Sequence, residues 1–360
     1  MKPLRYERGR LEILDQTRLP ARETWIEIAG AEAMAEAIGA LRVRGAPAIG
    51  IAAALALAVE ARGAARGAPA APSATGRASG AGALERLERA AALLRASRPT
   101  AVNLAWACER MTAVARGARE GGGPGTEAWS DRIEAEALAI WREDLEASAA
   151  MARHGASLFP RERRFLTHCN TGGLATGGGG TALGVLLELH RIREGGIEVW
   201  ATETRPLLQG ARLTAWELQR AGVATRLVAD GAAASTIERR GIEGVLVGAD
   251  RIARNGDVAN KIGTYALALA ACAAGIPFVV VAPASTLDPA TPTGADIRIE
   301  ERDASELTAF AGVPTAPAGV RAENPAFDVT PHELVTAIVT EFGSNRTAGE
   351  LFQRFQEPGE

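Results

Sequence analysis

FLTHCNTGGLATGGGGTALG, residues 165–184, is the stretch on which the reading of this chain turns. An apolar stub, Phe165-Leu166, leads into a glycine-rich run, and a helical pattern follows from Thr181 to Ile192. A strand, a glycine loop and a helix in that order make an anion site. Glycines let the backbone approach a ligand closely, and a helix N-terminus presents unpaired N–H groups with partial positive charge. A thiol, Cys169, stands where the strand ends and the loop begins. A phosphate cradle with a nucleophile or base at its lip points to an enzyme.

Working outward, short β-rich runs alternate with helical patterns from Phe165 onward. The runs are 165–168, 197–201, 225–229, 245–248 and 278–282, and helical patterns lie near 181–192, 207–221, 234–239 and 259–274. Strands of four or five mostly apolar residues separated by helices imply a parallel, doubly wound sheet. In the common strand order 3-2-1-4-5, the first and fourth strands are neighbours at the switch point, where such sheets bind ligands. Cys169 is the residue just past the first strand, and Asp250 lies two past the fourth, in GVLVGAD. Neighbouring strands run about 5 Å apart. The thiol and the carboxylate are therefore expected to face each other across the crevice.

The preceding part reads helical after a short extended opening at Leu11–Leu14, with segments near 31–41, 47–61, 84–96, 101–119 and 133–154. The expected fold is α/β: a mostly helical N-terminal domain, residues 1–150, followed by a Rossmann-like domain with a doubly wound parallel sheet, residues 151–360. An Ala/Gly/Pro/Ser tract, Gly63 to Gly82, reads as a surface loop, and Gly121 to Gly125 as another.

Bulk properties restrict the function. The chain has 360 residues, 47% hydrophobic and 23% charged, enough to bury full-sized cores. A net charge of −3 and a pI near 6.0 argue against a broad nucleic-acid surface. The three cysteines, Cys108, Cys169 and Cys272, are odd in number and far apart, which fits a reducing cytoplasm rather than a disulfide framework. Met1 to Arg10 carries charge and no apolar core of a signal peptide. The longest apolar stretch, Ala46–Val59, is about fourteen residues, short of a membrane span. No nucleic acid and no membrane are expected as partners.

Several residues compete for chemical roles. Asn260 and Lys261 are expected to open a helix, where an amide and a cation grip phosphate; a solvated lysine is the plain alternative. Arg44-Gly45-Ala46 precedes a helix that starts at Pro47, and Arg98-Pro99-Thr100 sits between two helices. Asp250 also suits an ordinary turn cap. Cys108 and Cys272 lie in helical patterns and are assigned to core packing. His168 adjoins Cys169, but successive strand residues point to opposite faces, so the two do not share a task or a metal. No zinc-ligand spacing appears among the four histidines, and neither metal nor cofactor is expected. A dinucleotide fingerprint is the main competitor: Gly177, Gly179 and Ala182 satisfy G-x-G-x-x-A, and Glu203 follows. The loop from Asn170 to Gly180 is too long for that tight turn, and the fingerprint leaves the cysteine unexplained.

Taken together, several blocks resemble the methylthioribose-1-phosphate isomerases of methionine salvage, a family related to the regulatory subunits of the translation-initiation guanine-nucleotide exchange factor. They are LEILDQTRLP (11–20), VRGAPAIG (43–50), SRPTAVNL (97–104), the cysteine-glycine run, ETRPLLQGARLTAWEL (203–218), GADRIARNGDVANKIGTYALA (248–268) and NPAFDVTP (324–331). The resemblance implies an aldose–ketose isomerase acting on a pentose 1-phosphate, cytoplasmic and homodimeric. It implies Cys169 and Asp250 as catalytic residues. It further implies substrate contacts from Arg44, Gly45, Ala46, Arg98, Gln209, Asn260 and Lys261. Non-enzymatic relatives lack the cysteine–aspartate pair, so its presence favours catalysis. Related isomerases of ribose 1,5-bisphosphate or 5-deoxyribose 1-phosphate, and an inert regulatory subunit, are the alternatives.

Overall fold

The computed structural model describes residues 1–66, 80–98, 101–117, 123–310 and 312–345. Most of the tract from Gly63 to Gly82, Pro99-Thr100 and part of the 121–125 glycine cluster lie outside them. The chain divides into two compact units, Met1–Glu146 with Gly173–Gly179, and Ala147–Gly172 with Gly180 onward.

In the first unit, β1 (Leu4–Glu7), β2 (Arg10–Leu14) and β3 (Trp25–Ile28) form an antiparallel sheet, with Leu4 opposite Ile13 and Leu11 opposite Ile28. Only the central strand was expected. Its neighbours are four-residue runs interrupted by charge, too short to announce themselves. Helices α1 (Ala31–Gly39), α2 (Ala46–Ala65), α3 (Gly80–Ser97), α4 (Val102–Gly117) and α5 (Glu127–Ser157) follow, and α5 continues into the second unit. The apolar stretch at Ala46 is longer than its sequence limits suggested. Helix α2 has twenty residues, long and apolar enough by length and composition to cross a membrane. Its surface is apolar all round because every residue from Ala48 to Ala58 is buried. A helix buried on all sides needs no polar face. Leu55 and Leu57 pack in one cluster with Ile38, Leu94, Met111 and Trp129.

The second unit is built on a seven-stranded sheet. Its first strands are β4 (Arg164–Thr167), β5 (Glu198–Thr202), β6 (Ala224–Val228) and β7 (Gly244–Val247). Helices α6 (Ala182–Ile192), α7 (Ala215–Arg220) and α8 (Ala233–Arg240) alternate with them. A smaller four-stranded sheet takes β8 (Arg251–Ala253) and β9 (Val258–Lys261), then α9 (Thr264–Ala273) returns to the large sheet at β10 (Phe278–Val281). Strand β11 (Leu287–Asp288) belongs to the small sheet. A short helix α10 (Ser305–Thr308) leads into the hairpin β12 (Ala309–Phe310) and β13 (Val313–Pro314). Strand β14 (Phe327–Thr330) completes the small sheet, and β15 (Ala337–Thr340) and β16 (Gly343–Asn345) extend the large one.

The large sheet runs β16-β15-β10-β7-β4-β5-β6, parallel except for β16. The five expected strands thus take the order 3-2-1-4-5, and β4 lies between β5 and β7. Alternate side chains fill two different cores. Leu166, Val245, Val247, Phe278 and Val280 pack with Ile237 and Leu267 of α8 and α9. Phe165, Leu246, Val279 and Val281 pack with Leu186 and Leu218 of α6 and α7. A strand covered on both faces has no polar side to show, which explains its continuous apolar run.

Two expectations need correction. Asn260 and Lys261 do not open a helix. They end strand β9, paired to Asp328 and Phe327 of β14, and α9 begins only at Thr264. The helical period of the alanine- and leucine-rich run after Thr264 hid the short strand before it. Cys272 is exposed on α9, whereas Cys108 is buried in the core as expected.

The glycine loop also does more packing than foreseen. Trp141 Nε1 donates to the Gly177 carbonyl at 2.7 Å, and the Gly177 N–H donates to Asp144 Oδ2 at 2.7 Å. A Cβ at Gly177 would lie 2.6 Å from Trp141 Cδ1. This packing accounts for a glycine at 177 without a dinucleotide. Gly177→Ala is expected to lower the urea midpoint by the equivalent of about 1–3 kcal/mol, the usual cost of overpacking. Gly117→Ala, at a helical position with nothing within 4 Å of its Cβ, serves as the control and should be neutral or stabilising. Equal midpoints for both variants would remove the packing role of Gly177.

Candidate active site

The site starts from the pairing of β4 with β7. Phe165 is opposite Gly244 and Thr167 opposite Leu246, and the Thr167 hydroxyl donates to the buried Leu246 carbonyl at 2.8 Å. Both strands run the same way and stop together. Cys169 follows β4 by two residues and Asp250 follows β7 by three, so both stand at the C-terminal edge of adjacent strands. Cys169 is buried, and Asp250 is half-buried. The Asp250 N–H donates to the Ala259 carbonyl at 2.9 Å, which ties it to β9 and hence to Asn260 and Lys261.

Backbone strain is concentrated here. Cys169 has φ 60°, Thr204 φ 64° and Leu208 φ 57°, all in the left-handed region that side chains other than glycine's avoid. Each such residue costs on the order of 1–3 kcal/mol and persists only when its surroundings over-determine it. The Cys169 N–H donates to Thr204 Oγ1 at 2.9 Å, and Thr214 Oγ1 donates to the Cys169 carbonyl at 2.5 Å. Thr204 is clamped in turn: its N–H and that of Arg205 donate to the two Asp230 oxygens at 2.8 and 2.7 Å. The turn after β4 is therefore set by the loop after β5.

Gln209 lies beyond β5 at the start of a single π turn, Gly210–Thr214. It is buried, and its Oε1 has no hydrogen-bond partner among the described residues. A buried unpaired carbonyl oxygen is costly, and a substrate hydroxyl is a natural donor to it. Asn260 is buried and donates to Thr264 Oγ1 at 3.0 Å. Lys261 Nζ donates to the Ala326 carbonyl at 2.7 Å and lies 4.5 Å from the Phe327 ring centroid. It is a placed cation, not a loose surface charge. Asp328 caps α9 through the N–H groups of Gly263 and Tyr265, and burial holds its carboxyl above the usual range despite those bonds.

The remaining expected residues lie in the first unit. Arg44 is buried, and its Nε donates to Gln16 Oε1 at 3.2 Å, while Gln16 Nε2 donates to the Leu174 carbonyl at 2.8 Å. Gly45 has φ 98°, and a Cβ there would lie 2.5 Å from the Ala175 backbone, so only glycine fits. Ala46 begins α2. Arg98 follows α3, half-buried, its carbonyl accepting the Ala101 N–H at 3.1 Å. Gln16 was not singled out from the sequence, although it stands in the block LEILDQTRLP.

His168 was set aside and turns out to be fully engaged. It is buried, with Nδ1 2.6 Å from Thr202 Oγ1 and Nε2 2.9 Å from the Ile262 carbonyl. Burial holds this imidazole below its ordinary range, against the opposing influence of the Ile262 bond and Asp230. Elsewhere, Asp257, His332 and Glu333 have ligand atoms within 4.8 Å of one another. Both Asp257 oxygens accept hydrogen bonds there, Oδ1 from His332 and Oδ2 from Asn255 and Gly294.

Residues 42–347 match the Initiation factor 2 subunit family. The chain is 54% identical over 346 residues to a methylthioribose-1-phosphate isomerase of Anaeromyxobacter sp. (strain K), covering 95% of this chain and 93% of the relative. The chain belongs to this isomerase family. Among solved structures it is similar to 5-methylthioribose 1-phosphate isomerase from Pyrococcus horikoshii OT3, with TM-score 0.87, 39% identity, and coverage of 99% and 96% of the two chains. It is also similar to the δ subunit of translation initiation factor eIF-2B from A. fulgidus, with TM-score 0.81, 38% identity, and coverage of 98% and 97%. The isomerase family and the initiation-factor subunits thus share one fold.

The strain at Cys169 makes a stability prediction. Glycine adopts φ 60° freely, while alanine there costs about 1 kcal/mol. Cys169→Gly should therefore unfold at a higher urea concentration than Cys169→Ala. At Cys272, inside α9, the order should reverse by a similar amount, since glycine weakens a helix by about 1 kcal/mol. A Cys169→Ala variant as stable as Cys169→Gly, or more so, would show that residue 169 is not held left-handed.

Proposed function

We propose that this chain is an aldose–ketose isomerase that converts 5-methylthioribose 1-phosphate to 5-methylthioribulose 1-phosphate in methionine salvage. The observation that carries the reading is the pairing of β4 with β7, which sets Cys169 and Asp250 on neighbouring strand ends in a chain of this family.

The substrate's anomeric oxygen carries phosphate, so the ordinary route through a free aldehyde is blocked. The ring oxygen must be protonated for the ring to open with its phosphate retained. Asp250 is assigned as that acid. Hydrogen then moves from C2 to C1. In a proton route Cys169, as thiolate, takes the C2 proton and an enol phosphate forms; return of that proton to C1, with loss of the C2 hydroxyl proton to the Asp250 carboxylate left by ring opening, gives the ketose. In a hydride route the hydrogen shifts directly with its electron pair, the C2 hydroxyl proton leaves to the Asp250 carboxylate, and Cys169 stabilises charge. Lys261 and Asn260 are assigned to the substrate's phosphate and polar groups, and Gln209 to a hydroxyl.

Arg44, Gly45, Ala46 and Arg98 are included as substrate-binding residues on the family resemblance. The proposed division is a mostly helical N-terminal domain, 1–150, supplying phosphate contacts, and a Rossmann-like catalytic domain, 151–360. A cytoplasmic homodimer completes the proposal. The three free cysteines support a reducing compartment, and the dimer rests on the resemblance alone. The similarity to an initiation-factor subunit supports a second reading, a non-catalytic regulatory subunit.

Incubation of the purified protein with 5-methylthioribose 1-phosphate, 5-deoxyribose 1-phosphate and ribose 1,5-bisphosphate separates these readings. Ketose should form fastest from the first, and a protein inert on all three supports the regulatory subunit. In the active enzyme, Asp250→Asn and Cys169→Ser should each lose about 10²–10⁴-fold in kcat, the usual contribution of an acid–base group. Near-normal turnover in either variant would remove that residue from the chemistry. Lys261→Met should weaken substrate binding by roughly tenfold to a hundredfold, the worth of a charge-assisted hydrogen bond. Calorimetry on the Lys261→Met/Asp250→Asn double variant, compared with Asp250→Asn, measures this directly, and equal dissociation constants would exclude Lys261 from binding.

A further inference from the structure

We infer that His168 is a positioning residue that ties Cys169 to the strand end carrying Asn260 and Lys261. The inference rests on the isomerase reading of those three residues and adds a device that the reading does not contain.

The argument follows the hydrogens. A carbonyl oxygen only accepts, so the Ile262 contact at 2.9 Å requires a proton on His168 Nε2. A neutral imidazole then has Nδ1 as an acceptor, and Thr202 Oγ1 at 2.6 Å must be its donor. With that hydroxyl committed, the Thr204 Oγ1 contact to Thr202 Oγ1 at 3.2 Å has its donor on Thr204, whose one proton is shared with the Thr202 carbonyl at 3.3 Å. Thr204 Oγ1 in turn accepts the Cys169 N–H at 2.9 Å. One chain of bonds, all donating in the same sense, runs from the Cys169 amide through Thr204, Thr202 and His168 to the carbonyl next to Lys261. Its side chains are 0–2% exposed, so water does not compete with these bonds.

Charge supports the neutral form. Burial disfavours the imidazolium, and Lys261 adds to that, while Asp230 and the Ile262 bond oppose it. The fit is close: a Cβ at Gly263, the residue after Ile262, would lie 3.1 Å from His168 Cε1. The ring therefore sits against the turn that ends β9. Through one nitrogen it supports the strained turn of Cys169, and through the other it holds the strand end of Asn260 and Lys261.

The two nitrogens can be tested separately. His168→Asn places an amide near the Nδ1 position and keeps a partner for Thr202; His168→Gln reaches the Nε2 position and keeps a donor for Ile262. With 5-methylthioribose 1-phosphate, His168→Gln should hold KM within about threefold and lower kcat roughly tenfold or more. His168→Asn should hold kcat and raise KM by a similar factor, since small misplacements of positioned groups are costly. Equal changes in both constants for both variants, or no change in either, would overturn the inference. The wild-type protein supplies a second readout. Labelled with ¹⁵N-histidine, it holds four histidines, and His168 should remain the neutral Nε2–H tautomer from pH 6 to 8, at about neutral conditions where an unperturbed imidazole titrates. A proton on Nδ1, or titration within that range, would overturn the inference. If the wild-type protein isomerises none of the three sugars, the isomerase reading falls, and the tautomer measurement alone decides whether His168 forms the tie.

Discussion

The parallel pairing of β4 with β7 is the constraint on which the candidate site depends. It is not a local matter, because the two strands are some eighty residues apart in the chain and meet only when the sheet is complete: Phe165 pairs with Gly244 and Thr167 with Leu246. The pairing is held by cores on both faces, with Leu166 and Val245 on one side and Phe165 and Leu246 on the other. A one-residue slip would turn every one of these side chains to the wrong face. The register that buries the cores is thus the same register that brings Cys169 and Asp250 to neighbouring strand ends.

Three of the left-handed residues gather beyond the ends of β4 and β5. Cys169, Thr204 and Leu208 occupy left-handed backbone conformations, and Asp230 and Thr214 supply the hydrogen bonds that hold two of them. These bonds lie at the C-terminal edge, while the sheet beneath carries regular ladders. A rigid scaffold with a strained, over-determined rim suits a site that must place reacting groups to within fractions of an ångström.

Much of this was legible in the residues. Five apolar runs between helical patterns implied the sheet, and the common strand order implied its central pair. The positions of Cys169 and Asp250 followed from where those runs end. What stayed hidden has physical causes. β1, β3 and β9 are strands of four residues with charged or polar members, and such short runs carry little periodicity. β9 is further masked by the helix-forming alanine and leucine run after Thr264. Gly177 read as part of a phosphate cradle, because sequence alone does not distinguish a glycine that approaches a ligand from one that approaches Trp141. His168 was dismissed on the alternation of strand residues, a rule that does not reach it, because β4 ends at Thr167 and Cys169 is left-handed. The tie from its ring to Ile262 crosses ninety-four positions of sequence and has no local signature.

The central claim is that Asp250 and residue 169 act on opposite parts of one bound sugar. A crystal structure of Cys169→Ser with 5-methylthioribose 1-phosphate tests it most directly. The account predicts the ring oxygen within hydrogen-bond distance, about 2.6–3.2 Å, of the Asp250 carboxyl, with C2 against residue 169. A sugar bound with its ring oxygen turned away from Asp250, or seated away from the ends of β4 and β7, would contradict it.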